Sequence, residues 1–194
     1  MIRKLYILIA LSLMLIFLFA CTSSEYQPKP KAYFRIDFPE KEYRMLDSAY
    51  PYKFEIPSYT FISPDHHSPD EKYWINLNFP EYNGQLHLSY KPVEKNLVKF
   101  MEDSRTMAYK HIPKASSIET RVIINPEDNV YGLIYEINGM GAASPYQFFV
   151  TDSSSHFLRG ALYFNITPNN DSLAPVIDFI KEDIEHLILS LRWK

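Results

Sequence analysis

Among its 194 residues the chain has one cysteine, Cys21. The folded part can form no internal disulfide, so packing must hold it together, and cysteine-ligated zinc and cysteine nucleophiles are excluded once that thiol is acylated. A Gly-x-Ser-x-Gly elbow is also lacking, so a serine hydrolase would have to be assembled from residues distant in sequence. Gly139-Met140-Gly141 joins two strand patterns and opens no helix, which excludes a dinucleotide-binding fingerprint. No basic cluster is present: 20 Lys+Arg stand against 23 Asp+Glu, a formal charge of −3. Phosphate binding needs concentrated cations that release counterions, so nucleic acid is excluded as a partner. What the chain does have is apolar material, 46% hydrophobic with 15% aromatic residues, enough for one domain with a packed core.

The longest apolar stretch, Leu5 to Ala20, follows Arg3 and Lys4 and ends at Cys21. A basic start, an apolar run and a small residue before the cleavage point match a secretory signal, whereas a spanning helix wants about 20 apolar residues. Removing residues 1–20 lowers Lys+Arg from 20 to 18 and takes the charge from −3 to −5. Leu18-Phe19-Ala20-Cys21 resembles the bacterial lipobox, with Phe19 where a smaller residue is usual. There the thiol takes a diacylglyceryl group, with fatty chains such as palmitate, and the peptidase needs a small side chain at Ala20. Each buried methylene contributes about 0.8 kcal/mol, so two or three chains make an essentially permanent anchor. Thr22 to Lys31 is small, polar and proline-bearing, and in polyproline II it would reach roughly 30 Å. These features predict a signal peptide over 1–20, a lipidated cysteine and tether over 21–42, and one domain over 43–194.

Within that domain, Tyr52–Ile56, Tyr73–Phe79 and Gln85–Tyr90 alternate with period two and predict the start of an antiparallel sheet. Asn96–Ile112 changes period: Leu97, Met101, Ala108 and Ile112 repeat at helical spacing, with Asn96 as N-cap and Pro113 as stop. Four more strands are expected at Ile118–Ile124, Val130–Ile137, Tyr146–Thr151 and His156–Phe164, and their short connections favour an antiparallel meander. A second helix over about Leu173–Leu191 presents Ile177, Ile180, Ile184, Leu187, Ile188 and Leu191 as one stripe. The fold class is α+β, an antiparallel sheet covered by two main helices, and the order of elements is similar to a PsbP/Mog1-type sandwich.

Candidate chemistry is sparse. Asp65-His66-His67-Ser68-Pro69-Asp70-Glu71 holds nitrogen and oxygen ligands for a divalent ion, yet adjacent side chains on extended backbone diverge, so a solvated loop is expected and no metal site is assigned. His87, His111, His156 and His186 are isolated in sequence and read as structural. The pairs Glu40/Glu42, Glu102/Asp103 and Glu182/Asp183 read as solvated faces, since neighbours in sequence do not establish catalytic separations. With no nucleophile, base and electrophile together, no catalytic residue and no cofactor are assigned. Tyr146–Asp152 and His156–Asn165 interleave aromatic and polar residues, and an exposed half of such strands would suit a protein interface.

Tyr26-Gln-Pro-Lys-Pro-Lys-Ala-Tyr-Phe-Arg-Ile-Asp-Phe-Pro39, together with Ala143-Ser-Pro-Tyr-Gln-Phe-Phe-Val-Thr-Asp152 and His156-Phe-Leu-Arg-Gly-Ala-Leu-Tyr-Phe164, resembles the gliding-motility lipoprotein GldD family over essentially the whole chain. The resemblance implies a Bacteroidota cell-envelope lipoprotein needed for gliding and linked to type IX secretion, with its domain facing the periplasm. Of functional residues it carries over Cys21 alone, as the lipidation site. The expected function is a non-enzymatic accessory component that contacts other envelope proteins, with Tyr33, Arg35, Asp37, Tyr146, Gln147 and Arg159 as candidate contacts. A periplasmic hydrolase and a small-molecule- or metal-binding lipoprotein using His66/His67 are the rival readings.

Overall fold

The computed structural model describes Arg3, Tyr6 and residues 35–194. The chain divides into units at Met1–Phe34 and Arg35–Lys194, and the fold below is that of the second. Cys21, Tyr33 and, apart from Arg3 and Tyr6, the expected signal segment lie outside the described residues. Among the described residues no helix is long and apolar enough to cross a membrane.

The strands are β1 (Tyr43–Leu46), β2 (Tyr52–Pro57), β3 (Phe61–Pro64), β4 (Ile75–Phe79), β5 (Gly84–Pro92), β6 (Ser117–Asn125), β7 (Val130–Asn138), β8 (Tyr146–Thr151), β9 (His156–Phe164) and β10 (Arg192–Trp193). The α-helices of this unit are α1 (Leu97–Tyr109) and α2 (Asn170–Ser190). Seven strands form an antiparallel sheet in the order β3-β4-β5-β9-β8-β7-β6, and β1-β2-β10 form a small second sheet. The α+β class is as the sequence pattern predicts, and β6 to β9 form the expected four-strand meander.

One point of topology differs from expectation. β2 does not begin the large sheet; it pairs with β1 and β10. Its buried Tyr52, Phe54 and Ile56 enter the same core as β4, β5 and α2, and an alternating pattern reports burial on one face without saying which sheet supplies the hydrogen bonds. In the large sheet α1 carries the chain from β5 to the far edge at β6, and the meander returns so that β9 pairs with β5 along nine residues.

The sheet has two unequal faces. On one, Leu86, Leu88 and Tyr90 of β5, Phe148 and Val150 of β8, and Leu158 and Leu162 of β9 meet α2 and the small sheet in the main core. The stripe expected on α2 is buried, from Ile177 through Ile180, Ile184, Leu187 and Ile188 to Leu191. Each such side chain contributes roughly 1.5–3 kcal/mol of transfer free energy. Phe148 can lie flat on the neighbouring strand because Gly160 is its cross-strand partner. A Cβ there would stand 2.1 Å from the Phe148 ring.

The opposite face is covered over β7, β8 and β9 by α1, through Leu97, Phe100 and Ala108. Met101 and Ile112, expected on the buried stripe of this helix, are exposed. Phe100 and Ser104 take the inward positions instead, because the helix ends at Tyr109 and its axis presents the 97, 100, 104, 108 row. Asn96 holds the N-cap position, but its Oδ1 accepts from the Glu94 amide at 2.9 Å instead of capping the helix. The segment 35–42, expected as the end of the tether, carries two docked side chains: Phe38 stacks on Phe179 at 4.3 Å between centroids, and Lys41 pairs with Asp183.

Candidate functional site

Beside the apolar strip that α1 covers, the second face is polar, and register explains why its side chains converge. Asn76 on β4 pairs with His87 on β5, His87 with Ala161 on β9, and Ala161 with Gln147 on β8, so all four lie in one row on one face. Arg159 and Tyr163 flank Ala161 on the same face, since side chains two apart share a side of a strand. Alanine at the centre leaves room for the longer neighbours to meet above it. Arg159 donates from Nη2 to Gln147 Oε1 at 2.6 Å, and the Tyr163 hydroxyl is its other polar neighbour.

Gln147 is 1% exposed, and its Nε2 has no hydrogen-bond partner among the described residues. Arginine only donates, so the Gln147 oxygen must face the guanidinium and the amide nitrogen is the orphan. Asn76, 5% exposed, has an unpartnered Oδ1 in the same row. Burial lowers the Arg159 pKa, opposed in part by the Tyr163 hydroxyl and, among the described residues, by no carboxylate. Burial also lowers the pKa of His87 and of His111, each further lowered by the Arg159 charge. Asp65 partly opposes the shift of His87, and its Oδ1 accepts from the His67 amide at 3.1 Å.

A solvent-open groove of about 540 Å³ adjoins this row, walled by His87, Tyr163, Gln85 and Asn78, with Phe61 at its rim. Gln85 Nε2 donates to Asn78 Oδ1 at 2.7 Å, and His87 meets Tyr163 edge to face at 5.4 Å. The groove is therefore a preformed, neutral polar cleft, and Tyr163 and His87 in its wall join it to the Arg159 row.

The residues expected to make contacts are dispersed. Arg35 and Asp37 form an exposed ion pair at 2.9 Å. Tyr146 and Gln147 are not exposed contacts: they are 0% and 1% accessible, because β8 is central in the sheet and both of its faces are covered. Tyr146 instead donates to Glu185 at 3.1 Å and accepts from Arg121 at 3.2 Å, supporting the Arg121–Glu185 ion pair above it. Arg159 is partly exposed and, of the expected set, is brought together with Gln147 alone.

The other sequence candidates separate. Among the described residues no cluster of three His, Cys, Asp or Glu side chains could hold a metal, and His66 and His67 lie exposed in the turn between β3 and β4. His156 Nδ1 meets Tyr90 Oη at 2.8 Å, and His186 pairs with Glu55 and stacks on Tyr43 at 3.6 Å. Ser144 is fully buried, and its Oγ has no hydrogen-bond partner, hence no base, among the described residues. Gly139–Ser144 is a strand-to-strand loop fastened to α2 by Asn170, whose Nδ2 donates to the carbonyls of Gly139 and Ala142 at 2.9 Å.

Asp183, expected with Glu182 on a solvated face, is instead buried. It is 1% exposed, binds Lys41 and accepts from Tyr43 at 3.0 Å and from Tyr59. Its signal was present: it lies three residues after Ile180 and four before Leu187, on the apolar stripe, whereas Glu182 does not. His87 was legible as a strand histidine, but its convergence with Arg159 depends on the β5–β9 pairing.

No curated protein matches the chain. Among solved structures, the cyanobacterial PsbP (CyanoP) of Synechocystis sp. PCC 6803 is similar, with 9% identity and a TM-score of 0.48, covering 80% of this chain and 95% of that one. The model of the gliding motility lipoprotein GldD family matches residues 23–193, and the chain belongs to that family.

Proposed function

We propose that this chain is a non-enzymatic, lipid-anchored component of the gliding-motility and type IX secretion machinery, held in the cell envelope by acyl chains on Cys21, with its domain facing the periplasm. The carrying observation is the place of the sole cysteine, directly after a basic, apolar leader and two residues before the stretch that carries the family. The tether gives the domain reach from the lipid surface, and Tyr33, Arg35, Asp37 and Arg159 are its contacts with other envelope proteins. Exposed Arg35 and Asp37 suit a polar rim, where charge steers association more than it adds affinity.

Cys21→Ser tests the anchor. The variant should leave the membrane fraction, with gliding and secretion impaired, whereas unchanged fractionation overturns the anchor. Crosslinking in cells from residues 35 and 159, followed by mass spectrometry, should recover other envelope components of the same machinery. Arg35→Ala with Arg159→Ala leaving motility, secretion and partner recovery intact would remove the proposed contacts.

A further inference from the structure

We infer that the Arg159–Gln147–Tyr163 cluster, next to the polar groove, is a carboxylate-binding site, in which the Arg159 guanidinium clasps the ligand's carboxylate, Gln147 holds the guanidinium in place and the groove takes the body of the ligand. This goes beyond the anchoring role and does not depend on it.

Three observations converge. Arg159 is a mostly buried cation that pairs with no acid among the described residues. A buried charge left without an opposite charge is costly, and folds retain one where something compensates it. Gln147 presents a second buried donor, Nε2, with no acceptor of its own. Such orphans are uncommon in packed interiors and call for an explanation. The groove of about 540 Å³ lies within the size range of small-ligand sites, and its wall residue Tyr163 also touches Arg159.

The chemistry of the donors selects the ligand. A guanidinium fork matches two coplanar oxygens, and one of its nitrogens is already fixed by the amide at 2.6 Å. Burial keeps His87 and His111 uncharged at neutral pH. The site thus presents one positive charge with neutral donors beside it, which suits a planar monoanion better than a phosphate dianion. Asp65, on the His87 side, further opposes a more highly charged ligand. The amides of Asn78 and Gln85 and the exposed Phe61 ring line the remainder of the groove, where the body of a molecule bearing the carboxylate would lie.

The test uses the full-length protein in detergent and NMR titration at constant ionic strength, reading the His87 and His111 imidazoles and the Arg159 Nε proton. The probes are acetate, N-acetylglycine, acetamide and inorganic phosphate. Saturable shifts with acetate and N-acetylglycine, both monoanions, and none with acetamide are expected. Tighter binding of N-acetylglycine identifies a carboxylate carried on a peptide, and equal binding a small free acid. Arg159→Gln should weaken both by about tenfold or more. Gln147→Glu supplies an internal carboxylate to Arg159, so it should raise Tm and abolish the acetate response, and this holds even if Arg159→Gln does not fold. Non-saturating shifts, phosphate binding as tight as acetate, or a Gln147→Glu protein that still binds acetate would each overturn the site.

Discussion

The Lys41 ammonium lies 2.8 Å from Asp183 Oδ1 and 3.4 Å from the centroid of the Phe179 ring, so one turn of α2 grips the chain as it enters the domain. Tyr43 and Tyr59 add hydroxyl donors to the same carboxylate, and Lys41 also donates to the Phe179 carbonyl at 2.6 Å. The segment 35–42 thus enters the fold through a buried, multiply hydrogen-bonded clamp.

Asp183→Ala strands Lys41 and two hydroxyls at once. Breaking a buried pair by removing one partner costs about 3–5 kcal/mol, and urea unfolding should show a loss of that size. Lys41→Ala should cost less, because both tyrosines still serve the carboxylate. Equal losses would mean that the ion pair alone carries the clamp.

Gly160→Ala places a methyl group 2.1 Å from the Phe148 ring, which is 1% exposed and has nowhere to move. Overpacking of this kind costs about 1–3 kcal/mol. Adding Phe148→Leu should recover part of the loss in a double-mutant cycle, and strict additivity would show that the strain lies elsewhere.

His87 and His111 both have pKa values below the ordinary 6.5. The unfolded chain therefore binds protons that the folded chain refuses, and stability falls as pH drops below about 6.5 toward the folded values. Asp152, held below 3.8 by the amides of Ser154, Ser155 and His156, adds a second loss only in stronger acid. Urea midpoints measured from pH 7.5 to 5.5 should decline, and His87→Gln should flatten that decline.

Arg35→Ala and Asp37→Ala should leave the urea midpoint unchanged, because an exposed ion pair contributes little to folding. Any loss of gliding or secretion in these variants then reports contact and not instability, while a shifted midpoint would remove that distinction.

Period two placed β8 and β9 at their observed bounds, and the i, i+3, i+4 spacing exposed the face of α2 that is buried. Such patterns are legible because burial repeats locally with the geometry of the element. The same patterns could not say that β2 leaves the large sheet, since sheet membership is a choice among distant hydrogen-bond partners. They also placed Tyr146 and Gln147 on a surface, because alternation identifies two faces but not whether a helix covers the second.

The sequence by itself determined the place of the sole cysteine, the class of the fold and its family, since each is written in contiguous residues. Tertiary structure alone decided that Asp183 clamps the entering segment and that Gln147, Arg159 and His87 meet beside a groove. Those neighbours lie up to 142 residues apart in the chain, and only the strand order and the packing of α2 bring them within hydrogen-bonding distance or electrostatic reach.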